Sequence, residues 1–241
     1  MTGEQIPSQA SSRSDAAFTE LGDLAVGGLP LNEVLDRTAE LAKDVLRLSI
    51  EASVTLIEGE TATTPSYTSE VARELDQTQY DLGYGPCVAS AQAGQQVHIP
   101  EMAAETRWPE FTAAAHRHGV SSMLSVPLPV QRQVIGALNL YAAQPHAFDD
   151  ESVGLGVQFG TYAAVAIAHT KLVGTAAELA QQMAQAMASR ADIEQAKGIL
   201  MGQRHCSADE AFDLLVHLSQ TTHRKLRYVA RVVIAEVAPK T

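Results

Sequence analysis

The sequence predicts an α+β chain: an antiparallel sheet with flanking helices, then a long helix leading into a small all-α three-helix unit. Three observations carry this. Short alternating strand patterns are interleaved with helical periodicity up to about residue 142. A long apolar helical stretch follows. The last sixty or so residues read as three successive short amphipathic helices.

In chain order, residues 18–48 read as helix, because Leu21, Leu24, Ala25, Leu31, Val34, Leu35, Leu41, Ala42 and Val45 recur at helical spacing. A Gly27-Gly28 break with Pro30 near the restart divides that helix. Residues 51–57 alternate through Ala52, Val54 and Leu56, as a half-buried strand would. A polar stretch with Pro65 comes next, then the segment 75–82 and the turn-rich Gly83-Tyr84-Gly85-Pro86. Residues 88–93 suit a short helix, 96–99 a strand and 108–118 a helix. Residues 122–127 and 134–141 form a strand pair joined by Gln131-Arg132-Gln133, and 149–173 a long apolar helix. Gly136 fits a strand that another backbone approaches closely. Asn139 is either a polar group facing a pocket or an outward strand residue, and the outward reading is preferred.

At 241 residues the chain favours two folding units, and 46% apolar content is enough for real cores. No apolar run approaches the roughly 20 residues that a membrane crossing needs. Residues 1–14 are polar, with Glu4 ahead of any arginine, so a disordered lead and a cytoplasmic protein are expected. The net charge of −11 argues against nonspecific nucleic-acid binding by the whole molecule. The charge is unevenly spread, however. From Ala176 onward, eight basic residues (Arg190, Lys197, Arg204, Arg224, Lys225, Arg227, Arg231, Lys240) meet seven acidic ones, leaving nine basic and 21 acidic in the remainder. Two cysteines, Cys87 and Cys206, make no disulfide framework, and no ligand-spaced Cys or His pair predicts a metal site.

From Leu172, apolar residues recur every seven positions through Leu179, Ala186, Ile193 and Leu200, with Ala176 and Met183 four residues on. Such a two-row seam pairs with a second copy of itself, so Leu172, Leu179, Met183 and Ala186 are the expected dimer seam. Arg190 and Lys197 enter the second row and end it. Packing of this helix back onto the first unit is the alternative, and Gly174-Thr175 is a candidate joint. In the last unit, Ser207-x-x-Glu210 has the form of a capping box. The apolar faces are expected to be Ala211, Phe212, Leu215 and Leu218, then Leu226, Val229, Ala230, Val233 and Val237. Arg224, Arg227, Tyr228 and Arg231 share the opposite face of the last helix. Arginine with an aromatic neighbour suits looped RNA, whose splayed bases stack on flat side chains; the bland reading is a solvated face. Gly198 costs about 1 kcal/mol in a helix interior and suggests close approach, by a packed helix or by RNA with Lys197 and Arg204 pointing outward beside it.

Two resemblances follow. Residues 18–172 resemble a GAF domain, a sensor fold, through Gly83-Tyr84-Gly85-Pro86-Cys87-Val88-Ala89, Trp108-Pro109-Glu110-Phe111, Gly119-Val120-Ser121-Ser122, Ser125-Val126-Pro127-Leu128, Ile135-Gly136-Ala137-Leu138-Asn139-Leu140-Tyr141 and Phe148-Asp149. Residues 190–233 resemble the ANTAR module, a helical RNA-binding domain of transcription antiterminators. Ile193, Gln195-Ala196-Lys197-Gly198, Leu200-Met201, Ser207, Asp209-Glu210-Ala211-Phe212, Leu215, Ser219-Gln220, Lys225-Leu226 and Val229-Ala230 carry that likeness. Val216, His223 and Tyr228 depart from its usual basic, Asn and Asp residues.

The resemblances imply a homodimeric regulator that is not an enzyme, binds paired RNA hairpins, and is adjusted by a sensor of an unidentified small-molecule signal. The expected domains are 15–173 for the sensor, 174–189 for a connector helix and 190–238 for the RNA-binding unit. Its site residues would be Arg190, Lys197, Gly198, Arg204, Arg224, Lys225, Arg227, Tyr228 and Arg231. Cys87 and Asn139 are sensor-pocket candidates. The alternatives are a DNA-binding helix-turn-helix regulator and a redox-active sensor in which Cys87, at a helix start, is an exposed thiol. His98, His116, His118 and His169 do not make a haem site, having no attachment motif, and nothing in the sequence supports a cyclic nucleotide.

Overall fold

The computed structural model describes residues 9–46 and 50–237, the first five of them in backbone alone. Helix α1 (Gln9–Val26) begins inside the stretch expected to be disordered; residues 1–8 of that lead lie outside the described residues. Its buried Ala17, Leu21 and Leu24 show why: packing of one apolar stripe holds a helix that propensity alone would not. Helix α2 (Leu31–Leu46) restarts after the glycine pair, with Gly28 at φ 67°.

Strands β1 (Ile50–Glu58) and β2 (Thr61–Tyr67) form a hairpin. The polar composition around Pro65 carries no strand signal in the sequence, yet the segment is strand β2. It is an edge strand with a register shift opposite Val54 and Leu56, which is where a strand tolerates Pro65. Helix α3 (Glu70–Leu82) opens on Ser69, whose hydroxyl accepts the Ala72 N–H, and closes on Gly83 at φ 72°. Helix α4 (Pro86–Ala93), β3 (Val97–Ile99), a 3₁₀ turn (Met102–Ala104) and α5 (Pro109–Arg117) lead to β4 (Ser122–Val130) and β5 (Gln133–Ala142). The sheet is antiparallel with order β2-β1-β5-β4-β3.

Helix α6 (Asp150–Arg204) follows, running unbroken through Gly174-Thr175, and then α7 (Ala208–Thr222) and α8 (Leu226–Val237). The chain divides into two compact units after Gly174.

In the first unit both faces of the sheet are covered. Leu138 and Leu140 of β5 and Val54 of β1 face α1, α2 and the start of α6, where Phe159, Ala163 and Ile167 are buried. Tyr141 and Met123 face α3 and α5 with Leu75, Phe111 and Ala115. Gly136 stands where a Cβ would collide with the Thr55 carbonyl of β1, so the expected close backbone approach is present.

The double cover corrects the preferred reading of Asn139. It is fully buried, because the face of β5 opposite Leu138 looks onto α3 and α4 rather than water. Its Nδ2 donates to Asp76 Oδ1 (2.9 Å) and Thr55 Oγ1 (3.1 Å), while the Ser125 hydroxyl donates to its Oδ1 (2.7 Å). Asp76, buried on α3, also accepts from the Tyr141 hydroxyl and from Thr64 Oγ1 (2.8 Å). Since the Thr64 proton points at Asp76, the Tyr80 hydroxyl must donate to Thr64 (2.7 Å) and accept from Thr55 (2.7 Å). The protons of this chain therefore run from β1 towards one carboxylate.

Burial pushes the Asp76 carboxyl up from its ordinary range to about 6, against the pull of hydrogen bonds from Ser53, Tyr141, Thr64 and Asn139. A folded-state value above the unfolded one means that folding favours the protonated acid. Its contribution is complete below pH 3.8 and is lost as pH rises through about 6, costing about 3 kcal/mol. A carboxyl-carbon NMR titration should place the Asp76 midpoint near 6; a midpoint in the ordinary aspartate range would refute this balance of forces.

Candidate nucleic-acid interface and sensor pocket

The second unit is built by short side chains that let three helices close up. Ala196 of α6, Ala211 of α7 and Ala230 of α8 are fully buried, with Leu200, Leu215, Val229 and Val233 around them. Helix α6 stops at Arg204 because His205 turns left-handed at φ 53°. Ser207 then starts α7 with a complete capping box: its hydroxyl accepts the Glu210 N–H (3.2 Å), and Glu210 accepts the Ser207 N–H (2.7 Å). His223, also left-handed, ends α7, and the Ser219 hydroxyl clamps the turn by donating to the Arg224 carbonyl (2.6 Å). That clamp presents Arg224 just ahead of α8.

Since Leu226, Val229, Ala230 and Val233 fill the core side of α8, the residues between them face solvent. Arg224, Tyr228, Arg231, Val232 and Ala235 line one groove of about 420 Å³. The Arg227 guanidinium lies 5.1 Å from the Tyr228 ring centre. A hydrogen bond from Arg227 is the main cause that lowers the Tyr228 phenol from its ordinary value, helped by the positive charges of Arg227, Lys225 and Arg231. Among the described residues Arg190, Arg204, Arg224, Lys225 and Arg227 form no ion pair with a carboxylate. Lys240, counted among the basic residues, lies outside the described residues.

Several expectations need correction. Arg231 is tied to Asp192 of α6 (2.7 Å), so part of its charge is already answered. Lys197 does not point freely outward: it pairs with Glu194 (3.0 Å), is only 17% exposed, and sits 6.0 Å from the Phe212 ring centre. Phe212 is 40% exposed instead of joining the core, because Ala211 and Leu215 already fill the interior. Leu218 and Val237 are likewise exposed, being rotated off the core-facing stripe. Its own helix turn aside, no atom of the described residues lies within 4 Å of where a Cβ on Gly198 would stand, so close helix packing within the unit is not its reason. The structure thus joins Arg224, Tyr228 and Arg231 in one groove, with Arg227 beside it. Lys197 belongs to the α6–α7 side.

Along α6, Leu172 (68% exposed), Leu179 (57%) and Met183 (59%) are uncovered, as is Ala186. Met187, which the sequence reading did not single out, is exposed too.

The sensor unit holds a pocket of about 570 Å³ whose lining includes Thr55, Tyr80, Cys87, Val88 and Ala91. Cys87 lies at its floor but is 1% exposed, which corrects the reading of an exposed thiol. Burial, then the Asp76 charge, pushes the thiol up to about 12, so it does not supply a thiolate near neutral pH. Tyr80 and Asp76, behind and beside this floor, were missed in the sequence. Their signal is readable: Ala72, Leu75, Asp76 and Gln79 form the buried stripe of α3, with a carboxylate inside it. His98 packs edge-on against Phe148, His118 pairs with Glu74, and His169 bonds the Ala25 carbonyl (2.7 Å). No cluster able to hold a metal exists among the described residues, nor is any described helix long and apolar enough to cross a membrane.

The first unit is similar in fold to several solved GAF structures. The GAF domain of an Acinetobacter phosphoenolpyruvate-protein phosphotransferase is 15% identical, with TM-score 0.51 over 70% of this chain and 98% of that one. The corresponding domain from Coxiella burnetii is 15% identical, with TM-score 0.52 over 70% and 99%. A free methionine-R-sulfoxide reductase from Neisseria meningitidis, solved with its substrate, is 13% identical, with TM-score 0.53 over 72% and 98%. At such identities the likeness concerns the fold alone. No curated protein matches the chain in sequence. The family model for the GAF domain matches residues 28–168, more than half of the chain, and that for the ANTAR domain matches residues 181–234. The chain therefore belongs to the GAF family and, with an ANTAR domain behind its sensor, has the build of a GAF–ANTAR regulator.

Proposed function

We propose that this regulator works as a dimer whose ANTAR units bind paired RNA hairpins, and that the sensor unit alters how well they do so. The observation that carries the reading is the α8 groove: arginines and one tyrosine gathered on the face opposite the core, in a chain that is otherwise acidic. Guanidinium groups answer phosphates, and the half-exposed Tyr228 ring offers a stacking platform for an unpaired base. Arg190, Arg204 and Lys225 add exposed charge, and Gly198 leaves an open stretch of α6 backbone that a nucleic-acid strand can approach. Binding that favours one RNA fold over a competing terminator stem shifts an equilibrium between the two.

Dimerisation through α6 follows from its uncovered seam. Side chains as apolar as Leu172, Leu179 and Met183 are left in water along one helix, with Ala186 completing the heptad spacing. The arginine at 190 ends that seam where the RNA-binding unit begins. The sensor's signal enters through the pocket that holds Cys87, with Asn139 immediately behind it. A regulatory role accords with a thiol that stays protonated near neutral pH.

The groove is tested by gel shift with a two-hairpin RNA and with duplex DNA of equal charge. Arg224→Ala and Tyr228→Ala are each expected to weaken RNA binding about tenfold with the circular dichroism unchanged. Arg231→Ala should cost less, since Asp192 already occupies it. Unchanged affinity in both of the first two variants, or tighter binding to the duplex DNA, would overturn the assignment. The logarithm of the affinity should fall linearly with the logarithm of salt concentration, and Arg224→Ala should flatten that slope by about one unit. The seam is tested by light scattering: Leu179→Asp should halve the mass in solution, and an unaltered mass would remove α6 as the dimer contact.

A further inference from the structure

The pocket that holds Cys87 is floored by polar groups whose protons are all committed. The Thr64 hydroxyl donates to Asp76 (2.8 Å), so Tyr80 donates to Thr64 (2.7 Å) and Thr55 to Tyr80 (2.7 Å). One further link continues this order. With the Thr55 proton given to Tyr80, the Cys87 thiol is the donor in its 3.4 Å contact with Thr55. Thiol, threonine, tyrosine and threonine thus form one directed row that ends on a buried carboxylate. Neither the phenol of Tyr80 nor the thiol ionises near neutral pH, because burial, then the Asp76 charge, pushes both up.

Acceptor capacity differs along the row. Thr55 Oγ1 accepts from Asn139 Nδ2 (3.1 Å) as well as from Cys87, so both of its lone pairs are used. The Cys87 sulfur accepts from the same amide (3.3 Å). Among the described residues the Tyr80 oxygen accepts from Thr55 alone, which leaves one of its lone pairs open at the pocket wall. The polar floor therefore has no side-chain proton to give and one place to receive one. The charges point the same way. Among the described residues that line the pocket, the exposed Glu60 alone carries a charge, and Asp76 lies behind the floor. Ile57, Ala62, Val88 and Ala91 make the remaining wall apolar.

We propose that this pocket takes an uncharged, mainly apolar ring molecule with one hydrogen-bond donor, a phenol or an indole in type, and seats that donor on the Tyr80 oxygen. The inference rests on the reading of this pocket as the sensor's input and names the chemistry of what enters. A volume of about 570 Å³ lies within the range of small-molecule sites and accommodates a two-ring compound. An anion suits the pocket poorly. A carboxylate or phosphate would give up its water beside two acidic residues, with no cationic side chain and no uncommitted proton on the floor to replace it. An ammonium would lose its water against the apolar wall, with one open lone pair on the floor to receive three protons.

The test is fluorescence titration of the full-length protein, at neutral pH and constant salt, with three probes of similar shape: 2-naphthol, 2-methoxynaphthalene and 2-naphthoate. 2-Naphthol is expected to saturate one site per chain. The ether, which keeps the rings and loses the donor, should bind about fivefold more weakly. The carboxylate should bind about tenfold more weakly or worse. Tyr80→Phe should bring 2-naphthol down to the affinity of the ether and leave the ether unchanged, a pattern that general loosening of the pocket would not give. Four results would each overturn the proposal: no saturation by 2-naphthol, equal binding of naphthol and ether, equal or tighter binding of the carboxylate, or a naphthol preference that persists in Tyr80→Phe. The order of the three probes in the parent protein decides the matter even where the variant fails to fold. The sensor reading is scored separately, by gel shift with the two-hairpin RNA in saturating 2-naphthol. An unchanged RNA affinity there would remove the pocket as the sensor's input while the order of probe affinities still stood.

Discussion

Everything in the sensor unit depends on a buried carboxylate that has no cation. Asp76 lies beneath a sheet covered on both faces and is held by hydroxyl and amide donors from three strands, Ser53 of β1 among them. Because an unsatisfied buried charge is costly, each of those strands must keep the register that delivers its donor. Thr64 comes from β2, Asn139 and Tyr141 from β5, and Asn139 is itself fixed by Ser125 of β4. The network therefore ties α3 to four adjacent strands and specifies their alignment. Its outer members, Thr55 and Tyr80, form part of the wall of the Cys87 pocket. A ligand there meets hydroxyls whose proton directions are already set by a carboxylate several bonds away.

The ANTAR unit is organised by a different economy. Three alanines at the helix contacts remove bulk from the interior, so the helices approach closely around a small core. The cost is that large apolar side chains have no room inside. Phe212, Leu218 and Val232 remain on the surface, and Val232 shares the groove of Arg224, Tyr228 and Arg231, giving that cationic face an apolar and aromatic texture. Such a mixed surface suits unstacked bases next to phosphates better than a uniformly charged one would.

The two units also explain how one chain is acidic overall and still carries an RNA-binding end. The asymmetry lies in the cations: eight of the 17 basic residues fall from Ala176 onward, whereas the acidic residues are spread over both parts at nearly the same density. The cations at the end of the chain are divided between free and answered ones. Among the described residues Arg224 and Arg227 pair with no carboxylate, while Lys197 and Arg231 are held by Glu194 and Asp192. The free ones define the face on which charge can attract a phosphate; of the held ones, Arg231 ties α8 to α6 through Asp192, while the Lys197–Glu194 pair lies within α6.

The sequence by itself determined the architecture: helical spacing over α2 and α6, alternation in β1, β4 and β5, and the Ser207–Glu210 cap are all properties of nearest neighbours along the chain. Gly136 could be read because only one residue type allows that approach. The candidate site was legible as a set of cations on one helix face. Its partition was not, since whether Arg231 is free depends on Asp192, 39 residues away in sequence. The edge strand β2 was hidden because its pairing comes from β1 and its composition is polar. Asn139 was misplaced for the same reason. Alternation tells which residues share a face of a strand, but only the packing of α3 and α4 decides that the polar face is dry as well.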